Sequence, residues 1–291
     1  MKHEPVMLGE VIGIIDTHST HKHILDGTLG LGGYSEAMLA EFPGSNVVGI
    51  DRDAQAITFS LERLKTYGGR FEAVHANFST LKDIITSHGD FDAFVFDLGV
   101  SNMQITVPER GFSFGSDGVL DMRMNPSGDD ITAAEILRCS SVEELTKIFR
   151  DYGEERFAHQ IAKAVKNSRT PIETTGDLVN LIRSALPQPV QRKMGTHPAR
   201  RVFQALRICV NHELQELEGL LKTLHDIKSK SVIIFVSYHS LEDRLIKIAF
   251  REWHNEGKGN ILTKHPMTPS GEETERNYKA RSAKLRAFCI S

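Results

Sequence analysis

Between His23 and Asp97 short apolar runs alternate with stretches of helical spacing across glycine turns, and this rhythm constrains the fold more than any other feature of the chain. His23-Ile-Leu-Asp26 is an apolar run ending in an acid. A glycine-rich turn leads from it into a helix expected over Tyr34 to Glu41 and stopped by Pro43-Gly44. Asn46 to Asp51 reads as a buried strand, Ala54 to Tyr67 as a helix closed by Gly68-Gly69, Phe71 to His75 as a third strand and Phe91 to Asp97 as a fourth. Strands that recur with a helix between them pair in parallel, because a parallel partner needs a crossover of about a dozen residues or more. The expected fold class is therefore α/β, a doubly wound and mostly parallel sheet.

The rhythm breaks after Asp97. The next strand-like run, Ser231 to Ser237, begins 134 residues later, far beyond an ordinary crossover. The interval has helical character: Ser141-Val-Glu-Glu144 is a capping box, Glu154 to Asn167 and Thr175 to Leu186 have helical spacing, and Pro198 opens a long amphipathic helix expected to run to about Leu224. The expected organisation is a sheet domain over 1–104 and 213–291, with an inserted helical domain over 105–212. Ligands of open α/β sheets bind outside the carboxyl ends of the strands, so an insertion leaving the fourth strand there should overhang the site as a lid or substrate platform. Residues 254–282 are polar and rich in Gly and Pro and read as a mobile loop, and a last strand is expected over Ala283 to Ile290.

Charge divides the chain unevenly. Residues 1–130 carry 9 Lys+Arg against 19 Asp+Glu, and residues 131–291 carry 26 against 19. No acid occurs between Leu178 and His212, where Arg183, Arg192, Lys193, Arg200, Arg201 and Arg207 fall. A second basic run, Arg276, Lys279, Arg281, Lys284 and Arg286, closes the sequence. Such runs are most often solvated faces, yet two of them without counter-charges suit a polyanion, and RNA or DNA becomes a candidate partner. Hydrophobic residues make up 40%, enough to bury a core, but no apolar run approaches the ~20 residues needed to cross a bilayer. Met1-Lys2-His3-Glu4-Pro5 has the character of neither a secretion signal nor an Arg-rich leader. Cys139, Cys209 and Cys289 lie too far apart for a disulfide framework or a zinc site, and a reducing cytoplasm is the expected compartment.

The turn Asp26-Gly27-Thr28-Leu29-Gly30-Leu31-Gly32-Gly33 stands where the first strand meets the first helix, where glycines let a ligand lie against backbone N–H groups. It is not a dinucleotide fingerprint, because Ser35 occupies the place of the third glycine. It is not a P-loop either, because no Gly-Lys-Ser/Thr follows. A cofactor without a pyrophosphate is expected. Asp51, ending the second strand, is placed to accept both hydroxyls of a ribose. With Asp97 at the fourth strand end, this is the layout of S-adenosylmethionine-dependent methyltransferases. Methylating the exocyclic amine of a base is difficult because its lone pair is delocalised into the ring; a hydrogen-bond acceptor and in-line placement supply most of what is needed. Asp97 or a neighbouring carbonyl is that acceptor, or Asp97 holds the cofactor instead. The polar groups of Ser237 to Asp243 support the acceptor pocket, or Ser240 caps the next helix while Glu242 and Asp243 favour its positive end. Two lesser motifs carry little weight: Gly111-Phe-Ser113-Phe-Gly115 matches a hydrolase elbow without the strand and helix it requires, and His18, His21 and His23 lack a ligand partner at metal-site spacing.

Asp26-Gly-Thr-Leu-Gly30, Asp51-Arg-Asp53, Asp97-Leu-Gly-Val-Ser101, Arg110-Gly-Phe-Ser-Phe114, His197-Pro-Ala-Arg200 and His239-Ser-Leu-Glu-Asp-Arg244 together resemble the bacterial 16S ribosomal RNA cytosine-N4 methyltransferase family. The likeness covers nearly the whole chain, from His3-Glu-Pro-Val-Met-Leu8 to Arg281-Ser-Ala-Lys-Leu-Arg286. The resemblance implies a class I methyltransferase sheet with an inserted substrate-recognition domain and S-adenosylmethionine as methyl donor. It implies as acceptor the N4 amine of a cytidine in 16S ribosomal RNA, within the small ribosomal subunit. It carries cofactor contacts onto Gly32, Gly33, Tyr34, Asp51, Phe78, Asp97 and Gln104. The chain departs from the family at Tyr34, where His is typical, at Asn102, where Ser is usual, and at Tyr238, where Phe is usual. Alternatives of other classes are a methyltransferase of DNA or a small molecule, a non-catalytic ribosome-assembly factor, and a hydrolase built on Ser113.

Overall fold

The computed structural model describes residues 5–291. Met1 to Glu4, on which the reading of the N-terminus and the start of the His3–Leu8 stretch rest, lie outside the described residues. Packing divides the chain into two units, one formed by residues up to Gly99 with Leu214–Ser291 and the other by Val100–Glu213.

The first unit is built on one sheet of seven strands. These are β1 (His23–Asp26), β2 (Asn46–Asp51), β3 (Phe71–His75), β4 (Ala93–Asp97), β5 (Ser231–Ser237), β6 (Gly259–Ile261) and β7 (Lys284–Ile290), in the order β3-β2-β1-β4-β5-β7-β6. The first five pair in parallel, as the alternation of strands and helices required, and β7 runs antiparallel between β5 and β6. The central strands are apolar on both faces, with a period of two between them. Leu25, Val48, Phe94, Phe96, Ile233 and Phe235 enter a core with Leu217, Leu220, Phe250 and Trp253 on one side. Ile24, Val47, Val95, Ile234 and Val236 meet Val11, Ile15 and Met38 on the other. A strand covered on both faces reads as a continuous apolar run, which is why these strands were legible.

The second unit is helical, with its own core around Leu120, Leu145, Phe149, Ile161, Leu178, Phe203 and Leu206. Capping boxes open four of its helices, at Ser101/Gln104, Thr132/Glu135, Ser141/Glu144 and Thr174/Asp177. Each meets two of the backbone donors that a helix start leaves without a partner.

Several expected elements are corrected. The single long helix from Pro198 to Leu224 is two, Arg200–Asn211 and Glu213–His225, broken at His212 in the left-handed conformation (φ 52°). Leu206 and Val210 serve one core while Leu217 and Leu220 serve another, a division that no Gly or Pro announces. Residues 254–282 are not one loop: they hold β6, a helix over Gly271–Arg276 capped by Ser270, and a 3₁₀ turn over Tyr278–Ser282. The helix expected to reach Tyr67 ends at Leu64 and continues as a 3₁₀ segment, the one after it in the insertion starts at Ala158 rather than Glu154, and β4 starts at Ala93 rather than Phe91. A helix over Leu8–His18, unanticipated from the sequence, covers the sheet with Val11 and Ile15. Among the described residues no helix is long and apolar enough to cross a membrane.

Candidate active site

The site is made by the carboxyl ends of β1, β2 and β4 and by the turn that follows β1. Gly27 leaves β1 by donating its N–H to the Val95 carbonyl (2.8 Å), and a Cβ there would stand 2.1 Å from the Phe96 ring, so only glycine fits. Gly32 (φ 75°) caps the helix Gly33–Glu41, a conformation that glycine adopts without steric cost. The first-turn N–H groups of a helix have no partner within it, and at Gly33 and Tyr34 they belong to the positive end of the helix dipole. The Tyr34 side chain is turned away into the core, its hydroxyl donating to the Val6 carbonyl, so at this position only the backbone serves the turn.

Three carboxylates organise the turn. Asp51 accepts from the backbone N–H of Gly30 and of Asp53, each at 2.8 Å, which ties the glycine turn to the end of β2. Asp26, fully buried at the end of β1, accepts from the Ser35 hydroxyl (2.7 Å) and the Thr28 N–H (3.3 Å). Asp97 donates its N–H to the Thr28 hydroxyl (2.6 Å), and its Oδ1 accepts from the Tyr238 hydroxyl (2.6 Å). Tyr238 is in turn fixed by the Glu242 carboxylate, which accepts its backbone N–H at 2.9 Å. Glu242 also closes a capping box with His239, so His239 and not Ser240 caps the helix Ser240–Asn255. Phe78, after β3, packs edge-on against Phe96, the residue before Asp97, with ring centroids 5.7 Å apart.

Burial raises the protonation energy balance of all three acids. Asp26 is pushed up to about 6, first by desolvation and against the pull of the Ser35 hydroxyl. Asp97 is pushed up to about 7, again chiefly by desolvation; the Tyr238 hydroxyl and Lys279 pull down while Asp26 and Glu242 push up. Asp51 is raised by burial against the hydrogen bonds from Asp53 and Gly30. Three acids at one edge with this little compensation are suited to a ligand that brings positive charge. Asp51 keeps lone pairs beyond its two backbone donors, and Phe78 offers an aromatic edge among the same strand ends.

Of the residues singled out from the sequence, the first unit gathers Gly32, Gly33, Tyr34, Asp51, Phe78 and Asp97. Gln104 belongs to the second unit, where it is buried and its Oε1 accepts from the Ser101 N–H in the capping box. Sequence reasoning left out Asp26 as a site residue, although an acid ending an apolar strand is a visible signal. It also left out Thr28, whose hydroxyl partner could not be read from spacing. Gly111–Gly115 follows a 3₁₀ turn rather than a strand, so the hydrolase elbow lacks its scaffold. His21 stacks on Phe42 and His23 on Phe91, as part of the packing around β1.

Five parallel strands completed by an antiparallel β7 and an edge β6, a glycine turn after β1 and acids ending β2 and β4 define the class I S-adenosylmethionine-dependent methyltransferases. The donor set fits that cofactor: its positive charge would offset the under-compensated carboxylates, and the turn over 26–33 carries no lysine for a polyphosphate. The chain belongs to the MraW methylase family, whose pattern matches residues 1–290. It is 41% identical to the ribosomal RNA small subunit methyltransferase H of Oleidesulfovibrio alaskensis, covering 98% of this chain and 94% of that protein. It is 43% identical to the protein of the same name from Picosynechococcus, covering 98% and 95%. It is accordingly a methyltransferase that uses S-adenosylmethionine.

Proposed function

We propose that the chain methylates the N4 amine of a cytidine in 16S ribosomal RNA within the small ribosomal subunit, in the bacterial cytoplasm, where its three cysteines remain thiols. The observation that carries the reading is Asp97, held by Thr28 and Tyr238 at the end of β4 with a pKa near 7. The cofactor supplies an electrophilic methyl group at this edge. The acceptor nitrogen gains a carbon and must lose a proton. Tyr238 occupies Oδ1, which leaves Oδ2 of Asp97 to draw the amine hydrogen, localise the nitrogen lone pair and take the proton. A carboxylate titrating near neutrality is matched to that task.

The remaining residues have distinct places in this reading. Asp51 would accept the ribose hydroxyls, Phe78 would offer its ring to the adenine and the Gly32, Gly33 and Tyr34 backbone would hold the amino-acid end, while Gln104 is a cofactor contact by the family resemblance alone. In the second unit Arg192, Lys193 and Arg200 are exposed and suit RNA phosphates, whereas Arg207 is committed to a bidentate pair with Glu213 at 2.7 Å. The inserted unit is the substrate-recognition part in this reading. The names of the relatives support ribosomal RNA as the substrate class.

The test is transfer of labelled methyl to purified small subunits lacking the modification, followed by nucleoside analysis. N4-methylcytidine in 16S RNA is the expected product. Label in DNA or a small molecule instead would replace the substrate, and cofactor binding without transfer to any of them would favour an assembly factor.

A further inference from the structure

The topology brings one more surface to the ligand edge. Because β7 runs antiparallel to β5, its first residue, Lys284, pairs with Ser237, the last residue of β5. The turn Tyr278–Ser282 that feeds β7 therefore arrives at the edge where Asp97 ends β4, since Asp97 pairs with Val236. Lys279 lies close enough to Asp97 for its charge to act on that carboxyl. The turn is anchored: Ala280 and Ala283 are buried in the sheet core, and Asn277 Oδ1 accepts the Lys279 N–H at 3.2 Å.

On this fixed turn Tyr278 is 72% exposed, more than any other large apolar side chain among the described residues. The Arg281 guanidinium lies over its ring, 4.7 Å from the centroid. From Arg276 to Lys284 there are four basic residues and no acid. An exposed aromatic ring backed by a guanidinium, between Asn277 and Lys279 in sequence, is chemistry for the face of an unpaired base rather than for a protein core contact. We infer that Tyr278 and Arg281 form a stacking platform for an unpaired RNA base neighbouring the target nucleotide. The inference rests on the RNA-methylation reading of the site. Its physical logic is that a base drawn out of its stack leaves a neighbour without a partner, and a ring at the rim of the site replaces that partner.

The experiment measures binding of the full-length protein to a short labelled single-stranded oligoribonucleotide and to its duplex, by fluorescence anisotropy, at low and high salt. Tyr278→Ala should weaken binding to the single strand on the order of 10-fold, with Tyr278→Phe close to wild type, because the ring and not the hydroxyl does the stacking. The loss from Tyr278→Ala should persist at high salt, while that from Arg281→Ala shrinks as phosphate attraction is screened. Duplex affinity should change little with Tyr278→Ala. Equal affinity of wild type and Tyr278→Ala for the single strand, an equal loss on the duplex, or a wild type that does not bind the single strand would each overturn the platform. A wild type that binds through Tyr278 yet transfers no methyl group leaves the platform standing and removes the cytidine reading. Normal methylation with Tyr278→Ala binding like wild type does the reverse.

Discussion

In the second unit acidic side chains sit where donors already wait for them. Glu135 and Glu144 are held below the ordinary range by the backbone N–H groups and hydroxyls of Thr132 and Ser141. Burial presses Asp121 upward, but the Arg123 guanidinium and N–H outweigh it. At the strand ends of the first unit the balance is opposite: Asp26, Asp51 and Asp97 are all raised, with desolvation the largest cause. The contrast is not one of whole units, because Asp243, on the helix after β5, is held low by Arg286 and Lys284 against its own desolvation. Acids that serve the fold have partners, whereas acids kept buried at strand ends without full compensation are retained at a cost to stability, as sites for chemistry are.

The largest effect that can break this contrast is on turnover. Asp97→Ala is expected to lower methyl transfer by about 100-fold or more while leaving the protein folded, measured as single-turnover transfer alongside a circular dichroism melt. Unchanged transfer would make Asp97 an acid without a chemical task. The counterpart in the second unit is Asn211, fully buried, whose amide accepts from Met124 N–H (2.7 Å) and donates to the carbonyls of Met122 (2.8 Å) and Arg207 (2.9 Å). Asn211→Leu strands these backbone groups and should cost about 2–3 kcal/mol in denaturant unfolding. A loss of transfer without a loss of stability would overturn its purely structural part.

A smaller effect has a sign that separates the two kinds of acid. A carboxyl raised from 3.8 to about 7 keeps its proton in the folded state where the unfolded chain has lost it, so its contribution to stability falls as pH rises through that window. Asp97→Asn removes the buried charge and should stabilise the protein, little at pH 4 and by on the order of 1–2 kcal/mol at pH 8. Asp243→Asn should do the opposite, since its lowered pKa gives stability that is present above the ordinary carboxylate value and lost as pH falls through the folded one. Melts of Asp97→Asn between pH 4 and 8, and of Asp243→Asn from neutrality down to about pH 2, where its window lies, decide it. Parallel trends would show that the raised and lowered acids do not differ as described.

The same contrast explains what the sequence made legible. The capping boxes at Ser141/Glu144 and the runs His23–Asp26 and Ser231–Ser237 state their structure locally, because hydrogen bonding three residues away and burial on both faces leave a local pattern. Gly32, Asp51 and Asp97 stand out because turn and strand-end positions restrict residue type. The break at His212 was hidden, since it follows from two cores claiming successive turns of a continuous helical pattern. The bond between Tyr238 and Asp97 spans 141 positions, and nothing local to either residue reports it.

That bond yields the finest test of the comparison, because Tyr238 stands where the resemblance leads one to expect Phe. Tyr238→Phe keeps the ring and removes the hydroxyl that donates to Asp97 Oδ1, which works against desolvation, Asp26 and Glu242 alongside Lys279. Loss of a hydrogen bond to the charged form raises a carboxyl further, by up to about one unit, or ~1.4 kcal/mol. If ionised Asp97 takes the amine proton, wild-type transfer rises with pH through about 7, and in the variant the same rise is displaced upward. Rates should then differ by several-fold below neutrality and converge in alkaline buffer, with cofactor affinity at high pH unaltered. A uniform drop at every pH would instead make Tyr238 a residue that only orients the carboxylate. A profile that stays in place would mean that the titrating group is not Asp97, and the distinction between chemical and structural acids would have to be drawn at Asp26 instead, the other strand-end acid raised toward neutrality, to about 6.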